Sequence, residues 1–166
     1  MASQIEPTQI LNLTVGLLRT EVFRRLGLPL PKVDYGKGLI GKLSKALLGA
    51  EVNLDKGPGY VNTGVIRAFP SLNLRASLGV EIFFDSNYRL KSVWYEPPFP
   101  SHVWGINFGD SLSTVVSKRG EPQAKKMLSE SEPRYFVYDI GNNQAVKVEF
   151  MNYCVNLIAY GTRAEL

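Results

Sequence analysis

The chain has 166 residues, 45% of them apolar and 20% charged, a balance that excludes a disordered tail, a collagen-like fibre and a coiled coil and leaves room for a self-sufficient core. One cysteine, Cys154, excludes an internal disulfide and a cysteine-built zinc site. The net charge of +4 is too small to argue for nucleic acid, and the whole excess lies in residues 1–100, with twelve basic and eight acidic groups against seven of each in 101–166; an acidic partner would meet that first part.

The first element follows Pro7, where Ile10, Leu11, Leu13, Val15, Leu18, Val22, Phe23 and Leu26 recur at helical spacing until Gly27-Leu28-Pro29. Gly16 divides this stretch into two short helices. Residues 31–79 read as irregular with one helix, Leu39–Leu48, because seven of the fifteen glycines fall between Gly36 and Gly64. From Val80 the texture is strand: Val80–Phe84 runs into Asp85-Ser86-Asn87 and returns as Tyr88–Tyr95, a hairpin. Within the second strand, alternation sets Leu90 and Trp94 on one face and Val93 and Tyr95 on the other. Glu96-Pro97-Pro98-Phe99-Pro100 supplies few ladder donors and reads as a connector between two halves. Asp110 is positioned to cap a helix over Ser111–Arg119, which Gly120 ends, with Pro122 beyond. Three strands follow, Tyr135–Asp139, Ala145–Phe150 and Tyr153–Tyr160, separated by Gly141-Asn142-Asn143 and Met151-Asn152, as in an antiparallel meander. In the middle strand Val146, Val148 and Phe150 face the core, and Lys147 and Glu149 face water.

The chemistry-bearing residues form no distinctive motif. The single histidine, His102, lies in the proline-rich connector beside Trp104, and Cys154, between Tyr153 and Val155 in a predicted buried strand, reads as a small core residue. Glu51, Asp55, Glu81, Asp85, Asp110, Asp139 and Glu149 are scattered; two of them could form a hydrolytic dyad, which keeps an unrecognised hydrolase as a distant alternative. Gly36-Lys37-Gly38-Leu39-Ile40-Gly41-Lys42 fits the spacing of a phosphate-binding loop, but Leu43 stands where Ser or Thr would hold magnesium, so it reads as a glycine loop entering a basic helix. No cofactor and no metal are expected.

A weak repeat runs through the chain. Gly16, Val22, Gly27 and Pro29 recur at an offset of 93 positions as Gly109, Val115, Gly120 and Pro122, as if one unit were used twice: a glycine opening a helix, a valine packing on a sheet, then glycine and proline stopping the helix. This unit resembles the one found twice in β-lactamase inhibitory protein and once in small outer-membrane assembly lipoproteins. The segment Pro100–Ser111, with Val115, Gly120-Glu121-Pro122, Pro133-Arg134-Tyr135-Phe136, Val146–Phe150 and Val155–Ile158, resembles bacterial immunity proteins that protect a cell against polymorphic toxins. The hairpin Gly79–Asp85 with Tyr88–Val93 suits the same pattern, so the resemblance covers 79–160, about half the chain. The lipoprotein role would need a cysteine near the amino terminus for lipid, and Cys154 is far from there. Arg119 stands where the first copy keeps apolar Leu26, which shortens or exposes the second helix.

These readings give an α+β fold, an antiparallel sheet with short helices packed on one face and two tandem helix-plus-sheet repeats as an elaboration. It is expected as a single domain over 1–166, with subdomains 1–98 and 99–166 as the alternative division. The opening Met-Ala-Ser-Gln-Ile-Glu-Pro has no basic run followed by an apolar one, and no stretch of 18 uncharged apolar residues occurs, so a cytoplasmic protein with no membrane and no nucleic-acid partner is expected. The resemblance implies a non-enzymatic immunity protein that neutralises a cognate protein toxin by stoichiometric occlusion; an envelope-associated structural or assembly module is the alternative. The partner-binding surface is expected from basic and aromatic residues, Lys37, Lys42, Lys45, Arg89, Lys91, Trp94, Tyr95 and Trp104, the cations speeding association and the aromatics slowing release.

Overall fold

The computed structural model of the chain describes residues 5–29, 71–129 and 133–166; the expected helix Leu39–Leu48 and the glycine loop before it lie outside them. Two short helices open the chain, α1 (Pro7–Leu11) and α2 (Arg19–Arg25), separated at Gly16 as the glycine implies. Then come β1 (Ser71–Leu74), a one-turn helix α3 (Arg75–Leu78), β2 (Val80–Phe84), β3 (Leu90–Tyr95) and α4 (Leu112–Arg119). The remainder is β4 (Ala124–Met127), β5 (Pro133–Gly141), β6 (Gln144–Met151) and β7 (Cys154–Thr162), closed by a 3-10 turn, Arg163–Glu165. All seven strands join one antiparallel sheet in the order β1-β2-β3-β7-β6-β5-β4. The architecture is the expected α+β one.

Two strands escaped the sequence reading. β1 falls at the end of the stretch read as irregular, and β4, Ala-Lys-Lys-Met, is exposed at every position and shows no alternation. The cap of α4 also differs. Ser111 is the N-cap, its hydroxyl accepting from the Thr114 N–H at 3.2 Å, whereas Asp110 accepts from the Asn107 N–H at 2.8 Å and from Lys118 Nζ at 2.6 Å. Asp110 therefore braces the turn that delivers the chain to the helix.

The core lies on one face of the sheet. Ile82, Phe84, Leu90, Val93, Tyr95, Phe136, Val146, Val148 and Ile158 point into it, and the helices add Ile10, Val22, Phe23 and Val115. Leu90 belongs to this face, not to the face of Trp94, because a bulge intervenes: Phe83 pairs with Ser92 and Phe84 with Leu90, leaving Lys91 as the extra residue. One inserted residue reverses the side of everything before it. Tyr95 is 2% exposed, packs edge-on to Phe99 with ring centroids 5.0 Å apart, and burial pushes its hydroxyl above the usual tyrosine range, with Tyr160 adding to the shift.

The two halves are built alike. The Gly16 N–H donates to Leu90 O at 2.8 Å, and Leu90 N–H returns to Leu17 O at 2.7 Å; the Gly109 N–H donates to Val155 O at 2.9 Å, and Val155 N–H returns to Asp110 O at 2.9 Å. Isolated bridges Leu18–Arg89 and Ser111–Cys154 occupy matching places. Each hairpin carries one bulge, at Phe83/Phe84 and Glu149/Phe150. The central seam has the same symmetry: Val93 faces Tyr160 and Tyr95 faces Ile158, pairs exchanged when β3 residues are matched to β7 residues 65 positions on. A pseudo-two-fold axis normal to the sheet thus passes through the remaining pair, Trp94–Ala159. Val22 and Val115, equivalent under the offset of 93, are both fully buried.

Candidate protein-docking surface

The second face of the sheet carries the residues that alternate away from this core. Register places Trp94, Ala159, Lys147 and Val137 in one row across β3, β7, β6 and β5, with Leu157, Glu149, Tyr135 and Lys126 in the next. Because Ala159 is small, the side chains on either side of it meet above it: Lys147 Nζ lies 5.5 Å from the Trp94 ring and 5.3 Å from the Tyr135 ring. The same ammonium pairs with Glu149 Oε1 at 2.7 Å. Lys147 is only 9% exposed, so the expected wet position is a desolvated one, its charge held by a carboxylate and two aromatic faces. Trp94 also packs against Phe83 at 5.0 Å, and its indole N–H is buried without a hydrogen-bond partner.

Toward one end of the sheet the surface becomes exposed and apolar on both sides: Met151 and Cys154 lie on this second face, whereas Met127, next to Lys126 on β4, alternates to the helix side. Met127 pairs with Pro133 on β5, and Met151 pairs with Cys154 across the tight turn Asn152–Tyr153, whose two residues take φ of 52° and 62°. Neighbouring strands lie about 5 Å apart, so these positions form one corner on the order of 10–15 Å across. Met127, Leu128, Met151 and Tyr153 are four of the six exposed large apolar residues of the described structure, Leu128 and Met151 reaching 59% and 58%. Cys154 is exposed in the same corner, not in the core as its strand position implied; Tyr153 falls in the turn, and β7 starts one residue later. Lys125, Lys126 and Arg134 border the corner and are all exposed.

The expected site residues do not assemble into one patch. Lys37, Lys42 and Lys45 lie outside the described residues. Arg89 is exposed, but its Nη1 donates to Gly16 O at 2.9 Å, fastening the β2–β3 turn to the entry of α2. Lys91 is the bulge residue of β3 and already has an interaction of its own. Trp94 is on the second face; Tyr95, its neighbour, points into the core and is not a surface anchor. Trp104 is on the helix side, packed on Tyr138 with ring centroids 5.2 Å apart and covered by Arg119, whose guanidinium carbon is 4.2 Å from the ring and which also donates to Trp104 O. Arg119, exposed as the departure from the repeat implied, thereby ties α4 to the connector.

Sequence reasoning missed the corner itself. The available signal was a pair of lysines followed by Met127-Leu128 just after Gly120-Glu121-Pro122, the composition of a guarded edge strand. It also missed Arg19, buried at the start of α2, with its guanidinium carbon 5.5 Å from the Phe23 ring and 5.9 Å from the Tyr88 ring. Among the described residues no group of three or more His, Cys, Asp or Glu side chains is placed to hold a metal ion, and no helix is long and apolar enough to cross a membrane. Compared with protein-family models, with curated proteins and with solved structures, the chain finds no match.

Proposed function

We propose that this chain is a stoichiometric binding protein, a cytoplasmic immunity protein that neutralises a cognate bacterial toxin by covering its active site or a surface the toxin needs. One observation supports the reading above the others: among the described residues, most of the exposed large apolar side chains lie at one corner of the sheet, beside cations. Apolar side chains that are covered only in a complex supply most of its binding energy. A continuous sheet loses little conformational freedom on docking, so less of that energy is consumed by ordering. Bordering cations raise the encounter rate with an acidic surface and restrict which surfaces fit. The occlusion needs no chemical step from this chain.

The test is growth rescue. The gene directly upstream in the source genome is induced with and without this chain, and the complex is measured by calorimetry on purified components. Rescue by wild type at equimolar expression, and its loss in Leu128→Asp/Met151→Asp, is the expected result. Trp94→Ala, on the same face as Met151 but partly buried, weakens binding less. An upstream product that neither arrests growth nor binds, or rescue that is indifferent to the double aspartate variant, overturns the reading.

A further inference from the structure

β4 is the last strand of the sheet, and its outer edge pairs with no strand among the described residues. Such an edge presents free N–H and C=O groups to any extended chain that reaches it. Lys125 lies opposite Phe136, on the helix side, and Lys126 opposite Tyr135, on the second face. A strand added here would have an ammonium beside it on each face. Arg134, one strand inward, adds a third cation, and none of the three is held in an ion pair among the described residues. A second copy of β4 would bring lysine against lysine, so the edge repels itself. An acidic strand meets the opposite situation.

We infer that the β4 edge accepts an extended acidic segment of a protein partner as an eighth strand. Its carboxylates meet Lys125 and Lys126 on alternate faces, and an apolar side chain at its end lies on Met127 and Leu128. Main-chain hydrogen bonds supply affinity and the alternating charges supply selection. The inference deepens the proposed function by giving the chemistry of the partner's contact, and rests on that reading only for the partner's identity.

The experiment uses the full chain and synthetic probes: a labelled peptide with two successive Glu residues, one for each face of the added strand, flanked by Val and ending in Leu, the same peptide with Lys for Glu, and the acidic peptide N-methylated on every amide. Fluorescence anisotropy should show saturable binding of the acidic peptide alone, weakened about tenfold or more by raising salt from about 50 to about 300 mM. Lys125→Glu/Lys126→Glu should lose the acidic peptide and gain the basic one. Both positions are exposed, so its thermal melt should match wild type. N-methylation should abolish binding, because it removes donors of the added ladder. No binding of the acidic peptide, equal binding of both charge types, or full binding of the N-methylated peptide overturns the inference. Because the probes are synthetic, a failed toxin rescue leaves this result standing, and a successful rescue with unbound peptide removes the edge while keeping the function.

Discussion

Substituting Gly79 by alanine probes a backbone position closely approached by another stretch of backbone. Gly79 ends α3 at φ 65°, and a Cβ there would collide with Glu96 O, approach Phe99 N to 2.7 Å and Pro98 N to 3.0 Å. Those atoms are backbone, held in turn by the Glu96 N–H to Gly79 O bond of 2.8 Å and the Phe99 N–H to Glu96 O bond of 2.9 Å, so they have no soft direction in which to yield. The left-handed conformation costs an L residue about 1–2 kcal/mol, and forcing atoms into a packed site adds about 1–3 kcal/mol. Gly79→Ala should therefore lose about 2–5 kcal/mol, which for a chain of this length is a fall in Tm of about 4–20 °C. Gly109→Ala is the control: its φ is 85°, but nothing lies within 4 Å of the added carbon, so only the conformational part remains, about 1–2 kcal/mol. Thermal unfolding followed by circular dichroism compares the two directly. Equal shifts in both variants would refute the reasoning, because they would mean that the close approach of the connector contributes nothing.

Further outcomes follow from the same geometry. Val22→Ala and Val115→Ala, fully buried at equivalent places, should each cost about 2 kcal/mol from lost transfer energy and a small cavity. Because the strands form one sheet, each should give a single urea transition for the whole chain; two separated transitions would show the halves unfolding independently. Burial opposes ionisation of Asp110, but the Lys118 hydrogen bond, the Asn107 N–H and the charge of Lys118 outweigh it and hold the carboxyl below its usual value of 3.8. A depressed folded value stabilises above the unfolded one and is lost as pH falls through the folded one, so the stability gap between wild type and Asp110→Asn should be constant near neutrality and shrink below about pH 4, read from urea midpoints across pH. Native protein should release one equivalent of chromophore with an aromatic disulfide reagent without denaturant, since Cys154 is exposed; reaction only after unfolding would contradict its placement.

Helix punctuation and hairpin turns were legible because they depend on nearest neighbours: Gly16, Gly27 and Gly120 all take positive φ, as do Asn142 and Asn143 in the β5–β6 turn. The repeated Gly, Val, Gly and Pro positions were legible too, and the seam between β3 and β7 explains them as the fixed points of two matching helix-and-hairpin units. What sequence did not carry is side and depth. The bulge at Lys91 moved Leu90 to the core, a shift no alternation pattern records. Lys147 resembled a solvent-facing lysine because its desolvation comes from Trp94 and Tyr135, 53 and 12 positions away. β4 was invisible because an edge strand that buries nothing has no hydrophobic period to read. The exposed corner joins residues from two separate turns and becomes a surface only once the strands are in register.

The axis through Trp94 and Ala159 bears on how many partners the molecule can seat. A scaffold of two equivalent units would offer two equal berths, one to each side. The occupants of the axis differ as much as two side chains can, and the cations of β4 have no counterparts on the opposite edge strand, Ser71–Leu74. Twofold geometry is thereby kept in the framework and erased from the exterior, so a saturated complex should weigh as one partner per chain, approached in a single orientation.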